Sequence, residues 1–371
     1  MIRVLFFIPT LGHGGAEKVL VNLVNNMDRS QFDITVQTLF DQGVNKQYLS
    51  PEISYRSFLK KQFRGNTTLF SFLPAKWLYR LIVREKYDVV VSYLEGPTTR
   101  IIAGCPYPET KKVAWVHIEL NNERLLKMGF KTVKEAKRAY HALSKIICVS
   151  NTVKDVFEST AKEFFPNMTV LYNTNETEII KEKSSETVDD VAFSQDVPNM
   201  ISVAKLMSTK GFDRLVRIHK RLLDEGIRQN VYILGVGEKK AELEDYIMKN
   251  HLSDSFYLLG YRDNPYKYVA KADLYVCSSR REGFSTAVTE ALVVGTPVVS
   301  TNCSGAYELL GENNEYGIVT ENDEEALYQG IYRMLTEEGL LQFYQEKAAE
   351  RGEAFDTIRT VAAVEDMLRS L

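Results

Sequence analysis

The sequence predicts an α/β chain built from two successive, mostly parallel, doubly wound domains. Short apolar runs of strand length alternate with segments of helical periodicity, which is the pattern of βα units. The alternation stops once, in a polar acidic stretch, and then restarts. At 371 residues the chain is long enough for two domains of ordinary size.

Residues 3–9 are a continuous apolar run, as expected of a strand buried on both faces. Gly12-His13-Gly14-Gly15 breaks the run, and residues 16–27 then place Val19, Leu20, Leu23 and Val24 at helical spacing. Further strands are expected at 32–40, 87–93, 112–117, 145–150 and 169–172. Residues 176–197 have few apolar anchors and are expected to link an N-terminal domain, 1–175, to a C-terminal domain, 198–350. There the pattern resumes with a strand at 200–205, a helix at 212–225 and strands at 230–234, 256–259, 272–278 and 297–300. Residues 351–371 are expected to form a C-terminal helix able to cross back to the first domain. Two such arrays make two Rossmann-like domains, for which a cleft between them is the default ligand site.

A composition of 44% hydrophobic and 26% charged residues is that of an ordinary globular protein, so wholesale disorder and collagen-like repeats are excluded. Cys105, Cys148, Cys277 and Cys303 are far apart with no CxxC pair, which excludes a zinc ribbon or a disulfide-dense scaffold and suits a reducing cytoplasm. No apolar run is long enough to span a bilayer. The N-terminal segment has a short apolar part, a single Arg and no small-residue cleavage site, so a first strand is expected there rather than a signal peptide.

Charge is uneven. Residues 1–180 carry 24 Lys and Arg against 17 Asp and Glu, and the remainder 22 against 32, so an anionic partner is expected on the first half. Residues 55–86 concentrate this excess in Arg56, Lys60, Lys61, Arg64, Lys76, Arg80, Arg84 and Lys86, opposed only by Glu85 and interleaved with Phe58, Phe63, Phe70, Phe72, Trp77 and Tyr79. Pro74 is suited to opening a helix. At about 100° per residue Lys76, Arg80 and Arg84 share one arc, and Trp77, Leu81, Leu78 and Ile82 the next. Such a helix suits an anionic membrane surface; an apolar face packed on its own sheet is the other reading. No nucleic-acid partner is expected.

Gly12-x-Gly14 follows a strand and precedes a helix, where backbone N–H groups can approach a phosphate. Glu17 occupies the place of the third glycine of a dinucleotide fingerprint, and Lys240 does so after Gly235-x-Gly237, so a nicotinamide dehydrogenase is disfavoured and a plain tight turn remains open at both places. Glu282 and Glu290 lie on either side of Ser285, an expected N-cap, with Gly295 closing the helix. The helix N-terminus suits a diphosphate and the carboxylates suit sugar hydroxyls; two exposed glutamates on a helix edge are the alternative. Lys205 and Lys210 follow the first strand of the second half, where paired cations can neutralise phosphate or simply be solvated. His117 ends an expected strand, in a structural or a functional role. The five histidines show no HxxxH or HxH spacing and no two aspartates are separated by one residue, so no metal site is expected.

Taken together, GGAE at Gly14-Gly15-Ala16-Glu17, VAWVHIE, ICVSNTVKDVF, VLYNTNETEII, SVAKLMSTKGFDRLV and the long segment from LLGYRDNPYKY through CSSRREGFSTAVTEALVVGTPVV to TNCSGAYELL resemble the retaining glycosyltransferases of family four. The resemblance covers nearly the whole chain and implies the GT-B architecture of two facing Rossmann-like domains. It implies that Glu290 binds the donor ribose and Glu282 the sugar ring, with the backbone of Gly283, Phe284, Ser285 and Thr286 on sugar and diphosphate. Lys205 and Lys210 would clamp the diphosphate, Tyr261 and Arg262 would flank the nucleobase, Gly14 and Gly15 would close on the donor, and His117 would lie beside the transferred sugar. Glu282, His117 and Lys210 are the implied catalytic set. The chain departs from the family pattern in Ala204-Lys205 for Gly-Arg, in Thr174 and Glu176 for proline and aspartate, and in Ser285 after Glu282-Gly-Phe. These departures leave donor identity open.

The resemblance implies α-glycosyl transfer with retention from a UDP-hexose or UDP-N-acetylhexosamine to a glycan acceptor, lipid-linked in the expected case, as in bacterial polysaccharide assembly. No metal or other cofactor is expected, and the site of action is cytoplasmic, at the inner face of the membrane. A nucleotide-sugar epimerase of the same architecture and a non-catalytic UDP-binding partner subunit are the alternatives.

Overall fold

The structure, a computed structural model, describes every residue except His13 and Ser304, so the His13 position of the first glycine loop and the Ser304 position of the last resembling segment lie outside the described residues. The chain divides into two compact units, residues 1–175 with 357–371, and residues 176–356.

In the first unit β1 (Ile2–Ile8), β2 (Phe32–Phe40), β3 (Ser54–Leu59), β4 (Val89–Ser92), β5 (Lys111–Val116), β6 (Lys145–Cys148) and β7 (Met168–Val170) form a parallel sheet in the order β3-β2-β1-β4-β5-β6-β7. In the second, β8 (Asn199–Val203), β9 (Asn230–Leu234), β10 (Phe256–Gly260), β11 (Leu274–Cys277), β12 (Val298–Thr301) and β13 (Ile318–Thr320) run in parallel as β10-β9-β8-β11-β12-β13. Both are doubly wound sheets of the Rossmann kind, as the sequence predicts. Helices cover both faces because parallel strands are joined by crossovers, and the central strands are accordingly apolar throughout: Val4, Leu5, Phe6, Phe7 and Ile8 of β1 are all inaccessible.

Strand order reverses between β1 and β4 in the first sheet and between β8 and β11 in the second. At such a switch point the connections leave in opposite directions and open a crevice at the carboxyl ends of the strands. The second unit supports its crevice with Met200, Ile233, Val276 and Val299, packed against Leu215, Ile218 and Leu222 of the helix Phe212–Asp224.

Several expectations need correction. Strand β3 overlaps the start of the basic segment 55–86, where alternating exposed residues, Arg56 among them, mask its periodicity. Phe70, Leu78, Tyr79 and Ile82 of that segment belong to the first core, so part of its apolar content serves the sheet. The expected linker carries a helix, Thr177–Ser184, whose buried Thr177 and Ile180 place it in the second unit, against the helices Tyr266–Val269 and Thr286–Val293. At the C-terminus no single helix spans 351–371. The helix Leu340–Gly352 ends in the second unit and Thr357–Arg369 belongs to the first, with Val361, Val364 and Leu368 buried. There the carboxylate of Glu365 accepts the Asp28 N–H at 2.6 Å.

Candidate active site

In the second unit the two strands flanking the switch point supply the two loops that carry Lys205, Lys210 and Glu282. The loop after β8 holds Lys205 and, in a 3-10 turn at Ser208–Lys210, Lys210. The loop after β11 holds Glu282 and ends at Ser285, whose hydroxyl accepts the Val288 N–H at 3.3 Å and caps the helix Thr286–Val293. Gly295 has φ +78°, the left-handed turn that follows a helix end.

The loops are joined at several points. Lys210 Nζ donates to Glu282 Oε1 at 2.5 Å, and the Ser279 hydroxyl donates to the same oxygen at 2.6 Å. The Ser278 hydroxyl donates to the Lys210 carbonyl at 2.9 Å, and the Arg280 N–H to the Thr209 carbonyl at 2.8 Å. Gly211, at φ +68°, lies so close to the Ser278 carbonyl that a Cβ there would meet its oxygen at 2.0 Å. The Arg280 guanidinium holds the Asp213 carboxyl down at about 2 through a two-pronged pair at 2.6 and 2.7 Å.

Burial alone would lower the Lys210 ammonium, but the charge and hydrogen bond of Glu282 outweigh it and raise Lys210 above its ordinary value. Lys210 is therefore a fixed cation, and Glu282, whose side chain is 13% exposed, is the anion it balances. Lys205 is exposed and makes no ion pair among the described residues. Glu290 is buried inside the helix Thr286–Val293, with the Tyr266 hydroxyl at 3.5 Å from its Oε1. Tyr261 is exposed just past β10 and Arg262 pairs with Asp190 at 3.1 Å.

The glycines after β9 are required by a close approach of two loops. A Cβ on Gly235 would lie 1.9 Å from the Ala204 carbonyl oxygen, and one on Gly237 2.3 Å from that of Leu206. Both glycines let this loop press on the loop that carries Lys205, with Leu206 N–H donating to the Val236 carbonyl at 3.0 Å. A cavity of about 320 Å³ lined by Met207, Phe212, Asp213, Lys239, Leu243 and Arg280 contains neither Lys210 nor Glu282.

The first unit carries its expected residues on the loops after β1 and β5. Gly14 precedes the helix Gly15–Asn26 after β1, and a Cβ on Gly14 would strike the Glu17 carboxylate at 1.8 Å. His117 follows β5, is 8% exposed and packs on the Tyr93 ring at 5.0 Å between centroids. Burial pushes its imidazole down to about 3 against the opposing hydrogen bond to the Tyr93 backbone, so the ring is neutral. Its Nε2 is buried without a hydrogen-bond partner among the described residues, a state that costs about 1–3 kcal/mol.

Residues that the sequence reading passed over are Ser278, Ser279, Arg280 and Asp213. Their signal was the Ser-Ser-Arg run between a strand end and Glu282, polar residues where an apolar strand stops.

These features agree with comparisons to known proteins. Residues 13–178 match the model of Glycosyltransferase Family 4 and residues 184–351 that of Glycosyl transferases group 1. An N-acetylgalactosamine-N,N'-diacetylbacillosaminyl-diphospho-undecaprenol 4-alpha-N-acetylgalactosaminyltransferase of Campylobacter jejuni is 28% identical over 375 residues, covering 95% of each chain. An uncharacterized glycosyltransferase of Methanocaldococcus jannaschii is 28% identical over 85% of this chain and 82% of its own. In fold, Anabaena HepE, solved in complex with UDP, superposes over 100% of both chains with a TM-score of 0.79 at 18% identity. Between them the two family models account for both units, and the chain belongs to the glycosyltransferases of family 4 and group 1, with the Rossmann-like units of the GT-B fold.

Proposed function

We propose that the protein transfers a hexose or N-acetylhexosamine from a UDP-sugar to a lipid-linked glycan, with retention of configuration. The observation that carries this reading is the Lys210–Glu282 pair beside the capped helix Thr286–Val293, at the strand ends where the sheet order reverses. A departing diphosphate needs fixed positive charge; Lys210, Lys205 and the free N–H groups of that helix supply it without a metal. Glu282 then accepts hydrogen bonds from sugar hydroxyls, Glu290 from the ribose, and the backbone at Gly283, Phe284, Ser285 and Thr286 lines the passage between them. Tyr261 and Arg262 flank the base. The Campylobacter relative, whose name includes a diphospho-undecaprenol acceptor, supports a lipid-linked acceptor here.

An acceptor of that kind waits at a membrane. No helix of the described residues is long and apolar enough to cross one. Instead, Phe63, Leu69, Phe72, Trp77 and Leu81 are exposed on and beside the helices Asn66–Phe72 and Ala75–Ile82, with Phe72 66% and Trp77 51% accessible. Between residues 60 and 84 there are six basic residues and no acidic one. Exposed aromatic side chains among unopposed cations are the chemistry of an anionic lipid surface. The donor reading is tested by thermal shift with UDP, GDP and a panel of their sugars. Stabilisation by UDP and one UDP-sugar supports it, and stabilisation by guanosine nucleotides alone contradicts it.

A further inference from the structure

Arg214, in the first turn of the helix Phe212–Asp224, is 3% exposed, and no carboxylate pairs with it among the described residues. Its neighbour Asp213 is engaged by Arg280 and Arg217 instead. The Arg214 guanidinium donates to carbonyls: from Nε and Nη2 to Ser278 at 2.9 and 2.7 Å, and from Nη2 to Ser279 at 2.8 Å, with Asn322 Oδ1 at 2.9 Å. A buried cation without a counterion is costly, and an apolar side chain of similar volume would fill the same space more cheaply. What distinguishes Arg214 is what it holds. Ser278 carries its hydroxyl to the Lys210 carbonyl, and Ser279 carries its hydroxyl to Glu282 Oε1. The guanidinium fork thus fixes both peptide carbonyls, and the link from Ser279 reaches the Glu282 carboxylate itself, whereas that from Ser278 ends on the Lys210 backbone carbonyl and leaves the ammonium untouched. The Thr301 hydroxyl, at 2.5 Å from the Ser279 carbonyl, is a second support on the same atom.

We propose that Arg214 is a positioning residue that sets Glu282 for the donor sugar, so that its replacement separates turnover from binding of the nucleoside diphosphate. The proposal rests on the reading of Glu282 given above. Lysine keeps the charge but has a single point donor in place of the planar fork, and cannot brace both carbonyls. Loss of register at a reacting group costs on the order of 100-fold in rate, while UDP, held by Lys210 and the helix, has no part in that loss.

The test uses the full chain and compares Arg214→Lys, Glu282→Gln and the double variant. Turnover is measured with the UDP-sugar that stabilises the wild type, UDP affinity by calorimetry, and melting temperature in parallel, with Arg221→Gln as a surface control on the same helix. The expected result is a large fall in kcat for Arg214→Lys with UDP affinity within about twofold of wild type, and a double variant no slower than Glu282→Gln alone. Should Arg214→Lys fail to fold, Ser279→Ala, which keeps the guanidinium and cuts its link to Glu282, must show the same split. Multiplying effects in the double variant, or parallel losses of turnover, UDP affinity and melting temperature, would overturn the proposal. Slow Glu282→Gln beside a normally active Arg214→Lys would overturn this inference alone, whereas normal turnover in Glu282→Gln would overturn the reading beneath it as well.

Discussion

The ammonium of Lys210 and the carboxylate of Glu282 meet at 2.5 Å although they are 72 positions apart in the chain. A diphosphate that takes Lys210 must therefore share it with Glu282. Lys210→Ala removes one charge-assisted contact, about 1.5–3 kcal/mol, and should weaken UDP binding by roughly ten- to a hundredfold. Glu282→Gln removes a competing anion, so UDP affinity should hold or rise while turnover falls. Glu290→Gln should weaken UDP itself. Lys205, being exposed, should matter less and chiefly at low salt. Calorimetric titration of the variants decides this. Equal losses of UDP affinity in Glu282→Gln and Glu290→Gln, or none in either lysine variant, would contradict the assignment.

Because fixed cations and a helix N-terminus are assigned the diphosphate charge, transfer should persist in excess EDTA. Loss of activity on chelation that manganese or magnesium restores would assign that charge to a metal instead.

His117 carries a pH signature. Its folded value of about 3 lies below the ordinary 6.5, so between these the unfolded chain binds a proton that the folded chain refuses. Stability should then be level above about pH 6.5 and fall as pH drops toward 3, by up to about 1.4 kcal/mol per pH unit for one group. His219, buried and pushed down to about 4, acts in the same direction. Urea midpoints between pH 7.5 and 5 should show the fall, and His117→Asn should flatten it without abolishing it. An unchanged slope in that variant would mean that His117 is not held neutral.

Much of this was legible in the sequence, because buried parallel strands are uninterrupted apolar runs. Strands β1, β2 and β9 fall where their valines, leucines and phenylalanines predict. The Ser285 cap and the Gly295 stop were equally readable, since a helix end demands particular residues. Strand β3 was not, because an edge strand with exposed alternate residues has no continuous apolar signal. Nor was the role of Arg214: within a helical pattern one arginine looks like any solvated one, and only tertiary structure brings the Ser278 and Ser279 carbonyls to it. The division of residues 55–86 into a buried Phe70 and an exposed Phe72 is likewise a matter of which side of a short helix meets the sheet.

The exposed residues of that segment give a further prediction. Each basic side chain near an anionic leaflet contributes about 1 kcal/mol, so the protein should sediment with vesicles containing anionic lipid at low salt and be released at high salt. Charge reversal at Lys60, Lys61 and Arg64, or Phe72→Ser with Trp77→Ser, should reduce binding. A protein that stays in the supernatant at low salt, indifferent to these changes, would make the segment a solvated face.

The central claim is tested most directly by following a labelled sugar from its nucleotide donor. With a UDP-sugar and an undecaprenyl-diphosphate-linked glycan, the label should move to the acceptor, UDP should appear in equal amount, and the new linkage should have the α configuration by NMR coupling. Conversion of the UDP-sugar without any acceptor, or a β linkage in the product, would contradict the account.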